Sequence, residues 1–97
     1  MERTVGVVSR TDREEALKLA DEIISLFKSG GMKVLLEPRL AASINQEEYA
    51  RSIEKMMVNL IVTIGGDGTI LRTCLHLPKP EPPILAIDMG VRGFLTE

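Results

Sequence analysis

The chain alternates between two spacings of apolar residues, and that alternation predicts its architecture. "TVGVVS", Thr4–Ser9, is an unbroken β-branched run of the kind that forms a strand covered on both faces. Beyond it the period lengthens. Ala16, Leu17, Ala20, Ile23, Ile24 and Phe27 recur at helical spacing, with Glu15, Lys18, Asp21 and Lys28 opposite. Thr11 followed three residues later by Glu14 resembles a capping box, and Gly30 with Gly31 predicts the stop. "KVLLE" (33–37) predicts a second strand closed by Pro38, with a loop over residues 38–44. Asn45 and Glu48 repeat the capping spacing and predict a second helix through Tyr49, Ile53 and Met56 to about Met57. A third strand is predicted at "LIVTI" (60–64), then a short helix within "TILRTCLHL" ending before Pro78. "KPEPP" (79–83) is a breaker-rich loop, and "ILAID", Ile84–Asp88, predicts a fourth strand trailed by "MGVRGFLTE".

Strands alternating with helices predict parallel pairing through right-handed crossovers, hence an α/β fold with an open parallel sheet and helices on both faces. The strand order expected is 2-1-3-4. Ligands of such sheets sit beyond the C-terminal ends of the strands, at the switch point between strands one and three. "SRTD" after strand one and "GGDGT" after strand three then face one crevice.

Composition narrows the function. At 97 residues the chain fits one small domain, and with 44% hydrophobic but only 3% aromatic residues its core must be aliphatic. Twelve basic against fourteen acidic residues give a net charge of -2, which argues against nucleic acid or an anionic membrane as partner. The single cysteine, Cys74, cannot form an intramolecular disulfide, and no apolar run suits a signal peptide or a membrane span. A cytoplasmic setting is expected.

The candidate chemistry lies in "GGDGT". Gly65, Gly66 and Gly68 let a ligand approach backbone amides, and a helix opening near Thr69 would offer its N-terminal N–H groups to phosphate. Asp67 repels phosphate, so its presence makes sense where a hydroxyl group or a metal ion must also be held; phosphoryl transfer needs both. The plainer reading is a turn in which Asp67 caps the following helix. Arg72, three residues after Thr69, either meets a nucleotide phosphate or is a solvated helix residue. The pattern is neither Walker A nor GxGxxG. Cys74 and His76 have no partners at metal-ligand spacing and read as ordinary helix residues, so no metal ligands are assigned.

"GGDGT" closing a strand, with "IDMGVRGFLTE" about two dozen residues on, resembles the N-terminal domain of NAD kinases, archaeal ones especially, over essentially all 97 residues. The looser GGDG element is shared with diacylglycerol, sphingosine and 6-phosphofructokinases; the Gly-Phe-Leu-Thr element separates NAD kinase from them. The resemblance implies a Rossmann-like, phosphofructokinase-like topology. It also implies phosphorylation of the adenosine ribose 2′-hydroxyl of NAD by ATP or polyphosphate, with a divalent cation, Mg²⁺. Asp67 would be the catalytic residue; Gly65, Gly66, Asp67, Gly68, Thr69, Arg72 and Phe94 would bind substrate, with Phe94 packing against the dinucleotide or the core. Residues 1–97 would be the N-terminal domain, inactive alone, of a homo-oligomeric protein whose β-rich C-terminal domain lies outside this chain. Asp88 stands where the family usually has Asn, and Arg92 where it has an apolar residue. The competing readings are a non-catalytic nucleotide-binding regulatory module, or a lipid or sugar kinase with the same loop.

Overall fold

The computed structural model describes residues 3–89. Phe94, Arg92 and the rest of the "GVRGFLTE" segment lie outside those residues.

Four parallel strands form one sheet in the order β2-β1-β3-β4, as the alternation of periods implies. They are β1 (Thr4–Ser9), β2 (Lys33–Leu36), β3 (Leu60–Gly65) and β4 (Ile84–Asp88). Helix α1 (Glu14–Ser29) carries the first crossover and α3 (Asp67–His76) the last. β1 and β3 are central and buried on both faces, which is why their sequences read as continuous apolar runs. Successive side chains alternate between two cores. Val5, Val7, Val62 and Ile64 pack with Ala16, Ala20 and Ile24 of α1, while Val8 and Ile61 meet Ile53, Met56 and Leu77 on the other face.

α1 stops as expected. Gly30 is its C-cap, and Gly31 takes φ +83, a left-handed conformation that costs glycine little. Its start differs: Arg13 is the N-cap, without a side-chain capping bond, so Thr11 and Glu14 form no capping box. Just before it, Arg10 donates to Asp12 through Nε at 2.7 Å and Nη2 at 3.0 Å.

Two larger differences fall between β2 and β3. Residues 38–44 are not a loop, because Pro38 opens the short helix α2 (Pro38–Ser43). Proline at this first position has a preset φ and lacks only an N–H that no helical carbonyl could accept. Burial of Leu40 and Ala41 then holds the helix on the sheet. The predicted helix from Asn45 to Met57 is instead a pair of 3-10 turns, Glu47–Tyr49 and Ile53–Lys55. Between them Ala50 bridges to Leu36 in parallel, and the Arg51 amide donates to the Leu36 carbonyl at 2.8 Å. The exposed edge of β2 thus captures this segment and outweighs its helical pattern. Asn45 sits at φ +58, outside any N-cap geometry.

Candidate functional site

β1 and β3 end side by side, and the chain leaves them in opposite directions along the sheet. The Arg10 amide donates to the Ile64 carbonyl at 2.8 Å, holding the exit of β1 beside the glycine turn. Between these two exits opens a cleft of about 470 Å³, lined by Ser9, Arg10, Thr11, Asp12, Arg39, Gly66, Gly68, Thr69 and Arg72. It occupies the switch point of the sheet.

The glycine turn is tight. Gly65 is buried with φ +154, and its carbonyl accepts the Met89 amide at 2.6 Å, joining the turn to the end of β4. A Cβ at Gly65 would lie 2.5 Å from Thr69 Oγ1 and 3.1 Å from Thr69 Cβ. Gly66 is the N-cap of α3, and its carbonyl accepts the Thr69 amide at 3.1 Å and the Ile70 amide at 3.2 Å. The first amides of α3 have no carbonyl one turn back and point toward the cleft end of the helix. With the positive end of the helix dipole they favour an anion.

The helix opens at Asp67, two residues before Thr69. Asp67 is therefore the first helical residue, not the cap, and no side-chain capping bond forms. The simple capping explanation of this aspartate fails. Its charge is still well placed for the dipole, but it is solvent-exposed and does not line the cleft that its two glycine neighbours line. Asp88 stands beside Gly65 in the β3–β4 register, at the same end of the sheet.

Of the residues expected from sequence, Gly66, Gly68, Thr69 and Arg72 share the cleft wall. Gly65 underlies the turn, Asp67 stands exposed at its edge, and Phe94 lies outside the described residues. Arg39 carries no sign of a site role in the sequence, because it reaches the cleft only through α2, where the spacing predicts a loop. A proline followed by Arg-Leu-Ala-Ala was the available signal for that helix. Three arginines border the cleft, but Arg10 is largely neutralised by Asp12. Arg72 has the Glu37 carboxylate 3.6 Å from its Nη1, a longer contact than the Arg10–Asp12 pair, and Arg39 adds a further positive charge at the cleft. His76 ends α3, and its Nδ1 lies 3.2 Å from Glu54 Oε2.

The Arg10 hydrogen bonds hold the Asp12 carboxyl at about 2, below its ordinary 3.8. A depressed carboxylate contributes stability that is present above the unfolded value and lost as pH falls through the folded one. The ion pair is thus expected to persist through mild acid and to fail only near pH 2. Carboxyl NMR of Asp12 in wild type and Arg10→Ala measures this. The variant is expected to titrate near the ordinary value; a midpoint unmoved by the substitution would rule the pairing out.

Among the described residues no group of three or more His, Cys, Asp and Glu could hold a metal ion, and no helix is long and apolar enough to cross a membrane. Residues 5–97 match the family described as the ATP-NAD kinase N-terminal domain. The chain is 40% identical over 94 residues to the NAD kinase of Methanothermobacter thermautotrophicus, covering 96% of this chain and 33% of the relative. It is 45% identical over 94 residues to that of Thermococcus kodakarensis, covering 95% of this chain and 34% of the relative. The chain thus spans about a third of the length of these relatives. A crystal structure of yeast NADH kinase complexed with NADH superposes with a TM-score of 0.78 at 25% identity, covering 97% of this chain and 33% of that one. A parallel 2-1-3-4 sheet with a glycine turn at its switch point, together with matches over nearly the whole chain, assigns these 97 residues to the ATP-NAD kinase family, as its N-terminal domain.

Proposed function

We propose that the intact protein transfers a phosphoryl group from ATP to the adenosine ribose 2′-hydroxyl of NAD, giving NADP, and that residues 1–97 supply the phosphate cradle and the acceptor-side carboxylate. The observation that carries this reading is the division of labour around one turn. Gly66, Gly68 and Thr69 line a cleft bordered by Arg39 and Arg72, while Asp67 between them stands outside it. Phosphates in the cleft meet helix amides and guanidinium groups. A hydroxyl presented at the exposed edge of the turn meets a carboxylate. Donor and acceptor are then brought together across a single residue, the arrangement an in-line displacement needs.

In the reaction a bond forms between the 2′-oxygen and the γ-phosphorus as the bond from that phosphorus to the ADP oxygen breaks. The hydroxyl proton passes to Asp67 and on to solvent. A carboxylate is a weak base for an alcohol. In a loose transition state, however, the proton leaves late, and Asp67 acts mainly by orienting the hydroxyl.

The donor set does not build a closed metal cage from protein side chains. It does suit Mg²⁺ arriving on the triphosphate, which needs only one or two protein carboxylates. Asp67 would be the ligand from this chain, and the ion would shield phosphate charge. The same reading carries a β-rich C-terminal domain that completes the dinucleotide site, contact of Phe94 with NAD, a cytoplasmic location and a homo-oligomeric full-length protein.

The test is a coupled assay of the intact protein with NAD, Mg²⁺ and either ATP or polyphosphate, with phosphorus NMR of the product. Formation of the 2′-phosphate, with residues 1–97 alone inactive, is the expected result. Tight binding of both nucleotides without turnover would support a regulatory module instead. Phosphorylation of a lipid or sugar in place of NAD would assign the fold to a different acceptor.

A further inference from the structure

Glu37 follows β2 and precedes α2, and its side chain is only 8% exposed. Burying a carboxylate is costly unless it is paired. Its Oε2 lies 3.6 Å from Arg72 Nη1, an ion pair longer than a hydrogen bond, and its Oε1 has no hydrogen-bond partner among the described residues. Arg72 stands between two cavities. One is the cleft beside the glycine turn; the other is a hollow of about 210 Å³ lined by Glu37, Ser52, Glu54 and His76 among others. The guanidinium therefore has a buried anion on one side and the cleft on the other.

We propose that Glu37 is a positioning residue for Arg72: it holds the guanidinium aimed into the cleft, so that one edge of the planar fork stays on the carboxylate while the other meets the phosphate being transferred. The proposal rests on the reading of the cleft as a phosphate site. Arginine suits the task because its donors lie in a rigid fork that serves two acceptors at once. Fixing the group before the phosphate arrives removes ordering cost from the reaction step. The unpartnered Oε1 fits a carboxylate kept for its charge toward Arg72 rather than for a hydrogen-bond network of its own.

This role has a kinetic signature that a purely structural one lacks. Glu37→Gln keeps the volume but removes the anchor, and it makes the cleft more positive. In the intact protein, KM for ATP is expected to hold or fall while kcat drops about 10- to 100-fold, the scale of misplacing one group by about 1 Å. Glu37→Asp, which retains the charge, is expected to recover part of kcat. Arg72→Ala is expected to raise KM and lower kcat, and adding Glu37→Gln to it is expected to cause no further loss. Thermal melting and calorimetric titration with pyrophosphate accompany each variant, so that a folded protein with an intact cleft is established independently of turnover. Lowered melting with wild-type kinetics in Glu37→Gln would reduce Glu37 to a fold residue. Additive losses in the double variant would show that it acts apart from Arg72. Either result overturns the proposal. The same series includes Asp67→Asn. If that variant keeps full turnover, only the role given to Asp67 fails; if the wild-type protein binds no pyrophosphate, the reading of the cleft as a phosphate site fails; if it binds pyrophosphate while the Glu37 and Arg72 losses simply add, only the positioning role fails.

Discussion

Asp67→Asn in the intact protein is expected to lower kcat by an amount equivalent to about 2–4 kcal/mol of transition-state stabilisation, with little change in KM for NAD. The expectation follows from where the residue stands. Asp67 is the first residue of α3, is exposed, and makes no capping bond, so the fold does not depend on its carboxylate as a cap. Asparagine retains size and turn compatibility but loses the charge that orients a hydroxyl. The dipole benefit lost with that charge is only about 0.3–1 kcal/mol, too small to unfold the domain. Stability and catalysis are therefore separable here. Steady-state kinetics with a raised KM and unchanged kcat would make Asp67 a binding residue alone, and unchanged values of both would remove it from the mechanism.

Gly65→Ala is expected to be the most damaging single methyl group in the turn. At φ +154 an L side chain costs about 1–3 kcal/mol in backbone strain. The new Cβ would also lie 2.5 Å from Thr69 Oγ1 and 3.1 Å from Thr69 Cβ, and relieving that overpacking costs roughly 1–3 kcal/mol more. Shifting Thr69 moves the start of α3, and with it the amides that face the cleft. Gly68→Ala provides the contrast, since a Cβ there meets nothing within 4 Å and replaces a helical glycine, worth up to about 1 kcal/mol in favour of folding. Gly68 nonetheless lines the cleft, so its methyl group is expected to weaken pyrophosphate binding without lowering stability. Urea denaturation of the two variants should separate them: a lower midpoint for Gly65→Ala and an equal or higher one for Gly68→Ala. Equal midpoints in both would mean that the turn relaxes around the extra carbon.

What the sequence determined by itself is the part of this protein governed by local rules. β1 and β3 were legible because strands buried on both faces read as unbroken β-branched runs, and α1 because an amphipathic period over 16 residues admits no other element. Their alternation implied the crossovers, the parallel order and the position of the glycine turn at the switch point, where the cleft lies. The tertiary structure decided what depends on partners far along the chain. Residues 45–57 carry a helical pattern, yet the unpaired edge of β2 offered Leu36 backbone groups to Ala50 and Arg51, and the segment broke into turns around that bridge. Pro38 reads equally as a strand terminator or a helix opener, and burial of Leu40 and Ala41 beneath the sheet selected the second, which brought Arg39 to the cleft. Nothing in the spelling around Glu37 marks it as buried, because its burial and its pairing with Arg72 arise only when the end of β2 meets a side chain of α3 in the assembled fold. Apolar period and glycine placement act within a few residues, whereas edge pairing, burial of charge and the meeting of side chains 35 positions apart exist only once the sheet has assembled.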